Sequence, residues 1–396
     1  MAGAPNSEPE VIDPVVITFW KFQSSKEDYI INDWIEQWNS ENPQIQVDAE
    51  YIPYNDYLST ALSTAFATNS APDVYMISAG SFLKYADAGF MFPLNDYMSD
   101  ELKNDIQYGR LEAVSRNGDI LGMPIEVEPV ALYFNLSLFE QKGLAPPKNW
   151  EELVSVAGEL NTDEMSGIIL PDQPNDYQNF IYYTLFVQAG GSFDFDRATL
   201  EKPLEESLKL WRELSAYSQP VQSVIHIPSD IYLLVTNEAA MQICGYWATR
   251  QLDNRFPDFA YGVVPVPVPV DGYEKSVYGG WYQIVNPHSS NASEAARFVV
   301  WMWGEGTKRS LEWCRDASSK LPARNSVIET NPQAFASAVD RMFIDNIMPG
   351  AQPEPMLSPE IAKVFENALQ RAMFSSSDIR SIAKEAADEI LLIASR

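Results

Sequence analysis

The 396-residue chain is long enough for two compact domains, and with 46% hydrophobic and 21% charged residues its composition is globular. Its 55 acids against 27 bases leave a formal net charge of −28, which repels phosphate backbones and anionic lipid and argues against nucleic-acid and membrane-surface roles. The two cysteines (Cys244, Cys314) and two histidines (His226, His288) stand at no metal-ligand spacing, so neither a zinc site nor a cysteine–histidine nucleophile has raw material.

The opening "MAGAPNSEPEVIDP" is small, polar and Pro-rich, and reads as a flexible linker (1–14) of the kind that follows a removed leader. No apolar run approaches the ~20 residues of a membrane-spanning helix. "VVITFW" (15–20) is a buried strand, and Ile31, Trp34, Ile35 and Trp38 behind it make one apolar helix stripe. "IQVDAEYI" (45–52) alternates like a strand, a second helical stripe runs through Leu62, Ala65 and Phe66, and "DVYMIS" (73–78) is a third strand. Strand–helix–strand–helix–strand predicts a mostly parallel α/β sheet.

The middle repeats this rhythm. Asn149 and Glu152 have capping-box spacing, "SGIILP" (166–171) reads as a short strand, and a helix over 178–189 stops at Gly190 and Gly191. Leu204, Leu208 and Trp211 mark another helix and "AAMQICG" (239–245) another strand. Pro265, Pro267 and Pro269 lack amide donors, so that stretch is a stiff connection rather than a central strand. The last third is helical: Asn291 and Glu294 form a second capping-box pattern, "SSKLPARNSV" (318–327) is an irregular break, and stripes follow at 361–372 and 379–393.

Residues 122–135, "GMPIEVEPVALYFN", hold Glu126 and Glu128 on one face of a strand-like stretch, with side chains ~6.8 Å apart. Three readings stand: a solvated edge, a carboxylate grip on ligand hydroxyls, and a glycosidase-like acid/base pair. Other ligand candidates follow strand ends, where open α/β sheets bind their ligands. Lys21, Gln23 and Ser24 follow the first strand, Tyr54 and Asp56 the second, and Ser78, Gly80 and Ser81 the third. Trp247 follows the strand at 239–245.

Five fragments in order, "PDVYMISAGSFLKYADAGFMFPLNDYM", "GDILGMPIEVEPVALYFN", "FEQKGLAPPKNWEEL", "AAMQICGYW" and "YGGWYQIV", resemble the extracellular solute-binding proteins of family 1, the maltose-binding-protein-like receptors of ABC importers. The resemblance runs from Val15 to the C-terminal helices. It implies a type II periplasmic-binding-protein-like α/β fold, two lobes joined by a three-segment hinge. Lobe 1 would comprise 15–127 plus 279–322 and lobe 2 131–266 plus 327–396, with crossings near 127–131, 266–278 and 321–326. The ligand would lie in the cleft, and hinge closure would trap it. Trp247 is then the stacking aromatic, and Gly279, Gly280, Trp281 and Tyr282 line the re-entry to lobe 1. Tyr177 would supply a wall from lobe 2, and Arg324 either reaches the cleft or pairs at the hinge. Cys244 and Cys314 would fall in different lobes, which favours two free thiols. The implied protein is an exported monomer, periplasmic or lipid-anchored at the outer face of the cytoplasmic membrane. It would need no cofactor and would deliver a mono- or oligosaccharide to permease subunits. Two alternatives remain: a cationic or zwitterionic solute (polyamine or betaine) held by the acids and Trp247, and a carbohydrate-active enzyme using Glu126 and Glu128.

Overall fold

The computed structural model describes residues 14–106, 110–219, 230–317 and 320–396; residues 1–13, read as a linker, and His226 lie outside them. Strands β1 (Val15–Phe22), β2 (Ile45–Ile52) and β3 (Val74–Ser78) are parallel, with Val15 opposite Ile45 and Phe19 opposite Val74. Between β1 and β2 the helix Ser25–Glu41 turns Ile31, Trp34, Ile35 and Trp38 into the core, all buried. Trp38 meets Phe298 and Trp301 of the helix Ala292–Gly304 edge to face, at 5.3 and 5.1 Å.

The sheet is mixed rather than mostly parallel. After a two-residue hairpin, β4 (Ser115–Arg116) with β5 (Asp119–Ile120), comes β6 (Met123–Pro124). Then β7 (Glu126–Asn135), β8 (Met241–Gly245), β9 (Tyr261–Val264) and β10 (Ser276–Gly279) precede β11 (Trp281–Val285). The first sheet has the order β2-β1-β3-β11-β6, with β11 antiparallel to both neighbours. The reversal has a simple cause. β11 arrives directly from the second sheet through Gly280, with no crossover helix to return it parallel.

The second sheet is built on β7, whose ten residues are all buried. Its first half pairs with β10 and with β12 (Leu321–Pro322), and its second half with β8 and β9, all antiparallel. Pro129 sits where the partner changes from β10 to β8, so its missing amide interrupts no continuous ladder. β13 (Ala351–Pro353) completes the order β12-β7-β10-β13. The stretch read as a strand at 166–171 makes only isolated bridges, at Ser166 and Ile169. A second core gathers Tyr182, Leu204, Leu208, Trp211, Phe365 and Leu369 from the helices Asp176–Gln188, Glu201–Ser215 and Pro359–Phe374. Among the described residues no helix is long and apolar enough to cross a membrane.

The chain changes sheet at Ile125 and again at Gly280. Gly280 has φ +148°, and a Cβ there would stand 2.6 Å from the Glu126 carbonyl oxygen. Both conformation and close approach therefore demand glycine. Cys244 and Cys314 are buried and not joined in a disulfide, and burial pushes Cys244 up to about 12.

The two capping patterns part company. Asn149 Oδ1 accepts from the Glu152 amide at 2.8 Å, and Glu152 accepts from the Lys148 amide. Asn291 makes no such bond; its φ −118° and ψ 26° do not aim the side chain at the first turn. Asn149→Ala should therefore cost about 1 kcal/mol and Asn291→Ala a few tenths at most, measured by urea denaturation of the two variants.

Candidate functional site

Alternation along β7 places Glu126 and Glu128 on a common face, but that face is closed. They are 1% and 7% exposed. Lys320, immediately before β12, donates to Glu126 Oε1 at 2.9 Å and to Glu128 Oε1. The Trp313 indole donates to Glu126 Oε2. Burial raises the Glu126 pKa to about 7 against the pull of Lys320, with Glu128 and Glu27 adding to the rise. Burial also raises Glu128. Desolvation works against the Lys320 ammonium too, but the two carboxylates outweigh it and hold it above the ordinary lysine range. The reading of these acids as a grip on ligand hydroxyls is thus corrected: the ammonium and the indole occupy both oxygens of Glu126 and Oε1 of Glu128. The catalytic reading goes with it, since a glycosidase needs its carboxyl groups open to the scissile bond.

Two basic candidates are likewise turned inward. Lys21 is fully buried, paired with Glu27 at 2.8 Å and Asp28 at 3.0 Å, and it donates to the Phe22 carbonyl. Arg324 pairs with Asp105 at 2.7 Å and donates to the Trp303 and Gly306 carbonyls. For Asp105, burial is outweighed by hydrogen bonds from Ser326 and Arg324, so its pKa is lowered. Of the alternatives read for Arg324, the structure shows an ion pair, with Asp105.

The remaining candidates collect into two aromatic groups. On the first sheet's side, Phe22 at the end of β1 meets Trp281 at 4.6 Å and Tyr54 at 5.2 Å. Tyr54 is 46% exposed. Tyr282 is not part of this group. Successive strand residues face opposite ways, and Tyr282 is buried edge-on against Phe82 at 6.0 Å. Gln23 and Asp56 are exposed, Ser24 is half-buried, and the Ser78 hydroxyl donates to Ser81 at 3.2 Å.

On the second side Trp247 is half-buried, with Tyr177 and Phe180 each at 6.3 Å. The Trp247 ring lies over Gly245, whose missing side chain makes the room: a Cβ there would fall 1.7 Å from the ring. The Tyr177 hydroxyl turns inward to the Ile243 carbonyl at 3.2 Å.

Between the groups stand Gly80, Gly279 and a carboxylate that sequence reading missed. Glu354, just after β13, places Oε1 2.8 Å from the Cβ position of Gly80 and Oε2 3.4 Å from that of Gly279. The Gly279 position is also 3.1 Å from the Phe180 ring. Nothing around "AQPEPM" marks Glu354 in the sequence, and Phe22 and Phe180 read there simply as strand and helix residues. Rings with a carboxylate between them suit a ligand with apolar faces and hydroxyl edges. A cavity of about 470 Å³ between 145–148, 264–268, 274–276 and 346–347 shares none of these residues. Among the described residues no group of three or more potential donors could hold a metal ion.

The ion cluster has a pH signature. Glu126 moves from an ordinary 4.5 to about 7 in the folded chain. Between those values the folded chain keeps a proton that the unfolded chain has released, so stability falls as pH rises through the window and levels off above it. The loss should reach about 3 kcal/mol. Glu126→Gln should remove that component, seen as a smaller difference between urea midpoints at pH 5 and pH 8. Lys320→Met leaves two buried carboxylates without their cation and should cost about 3–5 kcal/mol at pH 8, measured the same way.

The family model for the bacterial extracellular solute-binding protein matches residues 23–308. A maltotriose-binding protein of Pyrococcus abyssi is 25% identical over 297 residues, covering 72% of this chain and 62% of that protein. A multiple sugar-binding protein of Streptococcus mutans is 23% identical, covering 84% and 81%. Among solved structures, an ABC transporter solute-binding protein of Thermotoga lettingae bound with α-D-tagatose superposes with a TM-score of 0.80 at 21% identity, over 96% of this chain and 99% of that one. The fold is the two-lobed mixed α/β architecture of those structures, and the chain belongs to the bacterial extracellular solute-binding proteins.

Proposed function

We propose that the chain is the carbohydrate receptor of an ABC importer. It takes a mono- or oligosaccharide between the Tyr54–Phe22–Trp281 and Tyr177–Trp247–Phe180 groups and delivers it to the permease as an exported monomer at the outer face of the cytoplasmic membrane. The observation that carries the reading is the carboxylate of Glu354 set between two glycines with the Phe180 ring beside it. A sugar ring has apolar C–H faces and hydroxyl edges, and such a site answers both. Relatives named for maltotriose and for multiple sugars support the same class. The lobes are taken as 15–127 plus 279–322 and 131–266 plus 327–396, turning about 127–131, 266–278 and 321–326. Gln23, Ser24, Asp56, Ser78, Gly80 and Ser81 serve as the rim. A solute that bridges both aromatic groups only when the lobes approach favours the closed state by that difference in contacts.

A thermal-shift screen against mono- and oligosaccharides, polyamines and betaines tests this. A sugar present at a hundred times its dissociation constant should add about 2.7 kcal/mol of stability, insensitive to salt, and Trp247→Ala should abolish the shift. Shifts with polyamines or betaines alone, weakened by salt, would replace the sugar with a charged solute.

A further inference from the structure

We propose that Gly245 is a positioning residue of the sugar site: the room it leaves over its strand presets the Trp247 ring that the sugar packs against. This rests on the sugar-receptor reading above and adds to it a residue that acts through another.

The first support is what the glycine is for. Gly245 closes β8 and has no positive φ, so its backbone conformation does not demand glycine. The neighbour that stands in the way of a side chain is the indole. A Cβ at 245 would fall 1.7, 2.1 and 2.4 Å from Cζ3, Cε3 and Cη2 of Trp247, far inside the roughly 3.5–4.0 Å of an ordinary carbon contact. All three atoms belong to the six-membered half of the indole, so that half of the ring lies on the strand.

The second support is that the strand is held in place. Gly245 pairs with Val130 of the buried strand β7, and the Tyr133 hydroxyl donates to its carbonyl at 3.1 Å. The next amide, that of Tyr246, donates to the Pro129 carbonyl at 3.1 Å. Trp247 in turn opens the helix Trp247–Arg255. With both backbones fixed, a side chain at 245 moves the ring. The rings beside it are placed by other contacts: Phe180 is buried, and the Tyr177 hydroxyl is moored on the Ile243 carbonyl. An indole pushed off Gly245 therefore changes its angle to both, which are now 29° and 62°. A ring set before the sugar arrives loses little freedom on binding, and affinity gains by that difference.

The test takes three readings on Gly245→Ala, Trp247→Ala and the double variant. In sugar-free protein labelled with 7-fluorotryptophan, the fluorine-19 resonance that Trp247→Ala deletes should move in Gly245→Ala, while the other tryptophan resonances hold theirs. The drop in melting temperature that Gly245→Ala causes in the wild type should vanish in the Trp247→Ala background, because the two changes touch one contact. Calorimetric titration with maltotriose and cellotriose should show Gly245→Ala weakening the sugar that the wild type binds by about tenfold or more. An unmoved Trp247 resonance, or an equal drop in melting temperature in both backgrounds, would overturn the inference and leave Gly245 to the strand alone. Unchanged sugar affinity beside a moved ring would also overturn it, with the receptor reading intact. Should Gly245→Ala alone fail to fold, a folded double variant would still assign the obstruction to the ring, and an unfolded one would overturn it. Binding of neither sugar by the wild type, with polyamines or betaines shifting the melting curve instead, would remove the sugar reading and this inference together.

Discussion

One buried ammonium organises the centre of this molecule. Glu126 and Glu128 lie on a strand with no exposed residue, and ionised carboxylates there cost several kcal/mol each unless a counter-charge reaches them. Lys320 is that counter-charge. To bring its Nζ to both acids, the segment before β12 must lie along β7, which sets Leu321 opposite Val127 and Pro322 opposite Glu126. Trp313 reaches Glu126 from the same segment and packs against Trp34 and Trp303 of the first core. A strand of the second sheet is thereby tied to helices that cover the first.

The arrangement also divides the polar work. Lys21, Lys320 and Arg324 are drawn inward to buried or half-buried acids, and a lysine that holds two buried carboxylates is not available to a solute.

Much of the architecture was legible in the residues. The stripes at Ile31–Trp38, at Leu204–Trp211 and along the last two helices are local patterns of period 3.6, and each is buried except at Ile379 and Ile393, the half-buried ends of the last one. The five ordered fragments pointed to the fold. What failed was non-local. Whether Glu126 faces a ligand or a lysine depends on Lys320, 194 positions away. Alternation alone could not say which of Trp281 and Tyr282 joins Phe22, because that depends on how β11 is set against β3. Asn291 has the spacing of a cap but not the backbone angles, and spacing is all a sequence displays. Glu354 follows a short strand in a stretch with no periodicity, and only the fold brings it beside Gly80.

The two connections that meet at this point differ in stiffness for physical reasons. β7 follows the change of sheet at Ile125 as an unbroken buried strand of the second sheet, held by ladder partners on both sides and by the ion cluster. The return passes through Gly279 and Gly280, which have no side chains to resist a change of angle, and Gly280 already sits at φ +148°. Glycine at both positions leaves the backbone free of side-chain restriction there. Phe180 packs at Gly279, and Trp281 follows Gly280. On the receptor reading, a turn at this one peptide changes the spacing of the two aromatic groups directly. Contacts that a sugar makes with both would then act beside the second of the three connections about which the lobes are proposed to turn.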